Sequence, residues 1–100
     1  MARATLEATR PRYPHRMSVP SGTIELTYAQ GTARYSLLGR ALSGGDVVQL
    51  CCSGGWITGR FEWEGTTEAS PSFYFSIELD GGGVAQQVLS IPDGALLRWA

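Results

Sequence analysis

Lysine and asparagine are absent from this 100-residue sequence, histidine occurs once, and the two cysteines are neighbours in the chain. Each scarcity removes a kind of chemistry. Nucleophilic catalysis through Ser or Cys needs a base within hydrogen-bond reach, and His15 stands in a proline-containing N-terminal stretch, remote in sequence from Cys51 and Cys52. A zinc site takes about four Cys, His or carboxylate ligands, which two adjacent thiols and a distant imidazole do not supply. The expectation is a non-enzymatic protein with no catalytic residue, no metal and no cofactor. A disulfide between Cys51 and Cys52 would close a strained ring across one peptide bond, so both are expected as free thiols, one on each side of a strand. No run approaches the roughly 18 consecutive apolar residues of a membrane helix, and no secretory-type apolar block follows Met1. A soluble cytoplasmic protein is expected.

What is present is the composition of a folded domain: 43% hydrophobic and 17% charged residues, with 13 glycines. All fixed positive charge is arginine, which GC-rich coding explains without any demand for bidentate hydrogen bonding. The charge is unevenly placed. Residues 1–20 carry Arg3, Arg10, Arg12 and Arg16 against Glu7, whereas residues 21–100 carry four arginines against eight carboxylates. Residues 1–22 hold three prolines and no sustained period, and read as a flexible leader ahead of a domain at 23–100. Met17 offers an alternative start. The four leader arginines are the candidates for a nucleic-acid arm.

From Thr23 the period becomes two. Ile24, Leu26 and Tyr28 alternate with polar residues, and Tyr35 and Leu37 continue the pattern after the turn "QGTA". "VVQLCCS" supplies a third strand, and Gly54 and Gly55 provide a tight turn into "GWITGRFEWEG". In that fourth strand Ile57, Gly59, Phe61 and Trp63 form the core face, with Trp56, Thr58, Arg60, Glu62 and Glu64 opposite. "SFYFSIEL" puts Phe73, Phe75, Ile77 and Leu79 inward and Tyr74 outward. "VAQQVLSI" fits strand or short helix and is read as strand; "ALLRWA" is the last. Short strands between regular turn signals predict an all-β fold, a small, partly open barrel of five to seven short antiparallel strands.

Arg34 with Tyr35, Gly45 with Asp46, Trp56, Arg60 with Glu62, Tyr74, and Leu96 with Arg98 give residues 34–100 a pattern that resembles a bacterial family catalogued as domain of unknown function 5348. Gly55 and the longer segment after Gly65 depart from that pattern. The resemblance implies an SH3-like barrel and no activity.

Among local constellations, Glu62 and Glu64 read as a solvated acidic face, "DGGGVAQ" as a hairpin turn matching no phosphate-binding fingerprint, and Asp46 in "GGD" as a turn cap accepting backbone hydrogen bonds. The outward set Trp56, Arg60 and Tyr74 has the residue types enriched at binding hot spots. It is the candidate binding surface, with Thr66–Pro71 as a segment able to cover it. The expected partner is a protein, with self-association through an edge strand as a further option. The alternative is a nucleic-acid-associated protein using the arginine-rich leader and the aromatics, against which the acidic domain argues.

Overall fold

Three dipeptides set the hairpins in the computed structural model, which describes residues 19–100. Gln30-Gly31, Leu38-Gly39 and Ser53-Gly54 all have positive φ at both positions. That is the two-residue turn whose twist matches antiparallel strands. The turns join β1 (Ile24–Ala29) to β2 (Thr32–Leu37), β2 to β3 (Arg40–Ala41), and β4 (Val47–Cys52) to β5 (Gly55–Glu62). Gly54 is the glycine the last turn requires; Gly55 is already the first residue of β5 and pairs with Cys52. Then follow β6 (Ser72–Glu78), β7 (Val84–Ser90) and β8 (Leu97–Trp99).

The described fold is all-β and antiparallel, in two sheets ordered β1-β2-β3 and β7-β6-β5-β4-β8, and the sheets do not close. Among the described residues there are eight strands where five to seven were expected, because Arg40–Ala41 hooks back onto Ser36 and Leu37. "VAQQVLS" is a strand, paired along its whole length with β6. The sheets meet at Gly22, whose N–H and C=O both bond Leu97. They are also tied by Trp99, whose indole N–H donates to the Leu37 carbonyl at 3.0 Å while the Arg40 guanidinium lies 4.0 Å from its ring centroid.

The core lies between the sheets: Leu37, Leu42, Val48, Leu50, Phe61, Phe73, Ile91 and Leu97 are buried, and Tyr35, Ile57, Trp63, Phe75 and Trp99 pack on them. Burying each of the large apolar side chains contributes about 1.5–3 kcal/mol. Cys52 packs on the core, Cys51 lies on the other side of β4, and both are free thiols. Asp46 caps its turn as expected, accepting the Ser43 N–H at 2.8 Å while its own N–H donates to the Ser43 carbonyl.

Two assignments are corrected. Ile77 and Leu79, expected inward with Phe73 and Phe75, are 40% and 47% exposed. They share the correct face, but β5 pairs with β6 only from Arg60 to Glu62, so β6 beyond Tyr74 is held by β7 alone. The loop Thr66–Pro71, expected as a cover for the outer face, folds over the core side, where its Ala69 carbonyl accepts the Trp63 indole N–H at 2.8 Å. The leader arginines Arg3, Arg10, Arg12 and Arg16, and His15, lie outside the described residues.

Candidate functional site

Register across the larger sheet decides which outward residues are neighbours. Directly opposite residues share a face, so Arg60 on β5 stands between Val47 on β4 and Tyr74 on β6, and Tyr74 stands next to Val88 on β7. The result is one row across four strands: Val47, Arg60, Tyr74, Val88. Its two ends are aliphatic and solvent-exposed, Val47 at 50% and Val88 at 55%. At its centre the Arg60 guanidinium carbon lies 5.4 Å from the Tyr74 ring centroid, within cation–π range. Arg60 also makes a loose ion pair with Glu62 at 3.7 Å, both side chains being well exposed. Such pairs contribute little to stability.

Gly59 makes this row possible. A side chain there would run into the Tyr74 carbonyl and meet Phe73 Cζ at 2.6 Å. Only the missing Cβ lets β6 come this close to β5 just where Arg60 pairs with Tyr74. The glycine noted in mid-strand is thus a close-approach position.

Trp56, the third residue of the candidate set, is held elsewhere. It lies four residues from Arg60 on the same face of β5, about 13 Å away by strand rise. The Arg98 guanidinium covers its ring at 4.1 Å. Arg98 Nε in turn donates to Gln49 Oε1 at 2.6 Å, and Gln49 Nε2 donates to Thr58 Oγ1 at 2.9 Å. This chain of contacts crosses β8, β4 and β5 and engages the polar groups of that end of the face. The structure therefore brings Arg60 and Tyr74 together and gives Trp56 to a stacked, hydrogen-bonded scaffold beside them.

Sequence reasoning missed Val47, Val88 and the Arg98–Gln49 partnership. The two valines look like ordinary strand residues, and their exposure depends on the register of four strands. Arg98 and Gln49 are 49 positions apart.

No group of three or more His, Cys, Asp or Glu residues among the described residues could hold a metal ion. Clefts of about 260 Å³ beside Ile24, Tyr35 and Pro71, and of about 250 Å³ beside Tyr35, Leu42 and Trp63, flank the Tyr35 ring. Both fall below the roughly 300–1,000 Å³ of small-molecule sites, and Tyr35 itself stacks edge-on against Trp63 with ring centroids 4.7 Å apart. A smaller depression lies between Glu62, Glu64 and Tyr74 at the edge of the exposed row. No helix among the described residues is long and apolar enough to cross a membrane. The chain matches no protein-family model, no curated protein and no solved structure.

Proposed function

We propose that this chain is a small non-enzymatic protein-interaction module of the bacterial cytoplasm, binding a protein partner through the outer face of its larger sheet. The observation that carries the reading is the row Val47, Arg60, Tyr74, Val88: two exposed aliphatic residues flank an arginine and a tyrosine that face each other across neighbouring strands. Tyr and Arg in a rigid setting, bordered by apolar surface that can exclude water, are what hot spots are made of. Trp56 and Arg98 act beside the row as its support rather than as its contact. Two free thiols accord with a reducing compartment. Since residues 34–100 match no family model, the reading rests on this surface alone.

A nucleic-acid role rests on Arg3, Arg10, Arg12 and Arg16, outside the described residues. Residues 21–100 hold eight carboxylates and four arginines, of which Arg40, Arg60 and Arg98 lie over aromatic rings. That balance repels phosphate, and the protein partner is the better reading. The test is binding by variants: Arg60→Ala with Tyr74→Ala should abolish capture of the partner, while removal of residues 1–16 should leave it intact.

A further inference from the structure

The larger sheet ends in β7, and the backbone of that strand is open along one side. Leu79 donates to the Gly83 carbonyl at 3.0 Å and Ile91 to the Pro71 carbonyl at 2.9 Å. In an antiparallel ladder hydrogen-bonded pairs alternate with pairs whose polar groups point away. With the β6–β7 register, Ala85, Gln87 and Leu89 therefore bond β6, and Val84, Gln86, Val88 and Ser90 turn their N–H and C=O groups outward. None of these four has another backbone partner among the described residues.

Open edges are ordinarily protected by charge, proline, shortness or cover. The other three edges here follow that rule. β3 has two residues, one of them Arg40; β1 carries Glu25; and β8 is paired at Leu97 by Gly22. β7 does not. It is seven residues long, and no residue from Gly81 to Pro92 is charged. Its Val84 is 66% exposed and its Val88 is 55% exposed.

The occupant follows from the symmetry of the strand. On the outer face β7 reads Val84, Gln86, Val88, the same in both directions. A two-fold axis at Gln86 sets Val84 opposite Val88 of a second copy, Gln86 opposite its own copy, and Val88 opposite Val84. All are positions whose backbone groups already face outward, as an isologous pairing requires. We infer that β7 pairs antiparallel with β7 of a second copy of this chain about an axis at Gln86, joining the two five-stranded sheets into one. The pairing covers the exposed valines with each other and places two Arg60–Tyr74 rows on one continuous face, which raises avidity for a partner that can engage both. One strand edge is a small interface, so the association is weak and concentration-dependent. The pairing shares Val88 with the row proposed above but does not require that row to bind a partner.

Sedimentation of the full chain between about 5 and 500 µM, the range in which a small interface equilibrates, tests it. The predicted result is a mass rising from 10.8 kDa toward twice that value. Gln86→Lys and Gln86→Glu each set like charges across the axis and should weaken self-association about tenfold or more. An equimolar mixture of the two variants should restore it, because Lys then faces Glu. Recovery in the mixture also shows that both variants fold. A wild-type chain that stays at 10.8 kDa throughout would overturn the inference and leave the edge to residues 1–18 or to another protein's strand. A dimer indifferent to both substitutions, or no recovery on mixing, would also overturn it.

Discussion

Arg60 and Tyr74 pair directly across β5 and β6, the guanidinium 5.4 Å from the ring centroid, on the face turned away from the core. Such a contact contributes about 0.5–1 kcal/mol at an exposed site; Arg60 is exposed, whereas the Tyr74 ring is half-buried. Arg60→Ala should lower unfolding free energy by no more than about 1 kcal/mol, and Tyr74→Ala by about 1–2 kcal/mol, because its half-buried ring also loses apolar burial. Partner affinity should fall at least roughly tenfold for each. Urea unfolding and binding titrations measured side by side separate the two effects. A stability loss several times larger, with binding unchanged, would assign the pair to the scaffold.

Gly59 should tolerate no side chain. Adding one methyl group drives it against the Tyr74 carbonyl and the Phe73 ring, and Phe73 is fully buried. Gly59→Ala should cost about 2–3 kcal/mol, at the upper end for overpacking, because the obstruction is partly backbone. Thermal unfolding reads this directly, and an unchanged midpoint would contradict the close approach.

Leu38 occupies the first central position of its turn at φ 54°. A leucine pays a steric penalty there that asparagine largely avoids. Leu38→Asn is expected to stabilise the protein by about 0.5–1 kcal/mol, the leucine side chain being about half exposed. Chemical denaturation of the two proteins would show it as a higher midpoint at unchanged slope.

Trp63 holds the loop after β5. Its indole N–H donates to the Ala69 carbonyl at 2.8 Å while the ring packs edge-on against Tyr35. Trp63→Phe keeps an aromatic ring and removes the donor, a change of about 1 kcal/mol. Cleavage after Glu64 or Glu68 by a glutamate-specific protease should then become faster, whereas equal rates would mean that the loop is held by other contacts.

How much of this could be read beforehand varied with the physics involved. Period-two alternation marked β1, β2, β5 and β6; β7 fits helical spacing as well and reads as strand, and β3 at two residues is too short to alternate. It also placed Leu37, Phe61 and Phe73 on the apolar faces, and all three are buried. Alternation names a face but not its cover, and so Ile77 and Leu79 were placed in the core although β5 leaves β6 after Tyr74. The Trp56, Arg60 and Tyr74 face was legible for the same reason. That Trp56 belongs to Arg98 was not, since the C-terminal strand reaches β4 across half the sequence.

The most direct measurement is capture from nuclease-treated lysate of the source cells by the tagged wild-type chain and by the Arg60→Ala, Tyr74→Ala double variant, after confirming that both unfold cooperatively within a few degrees of each other. The account predicts a defined protein retained by the wild type and lost from the variant, whose direct binding can then be titrated with the purified pair. Equal retention by the two chains, or a protein captured only when the nuclease is omitted, would contradict a protein-binding row centred on Arg60 and Tyr74.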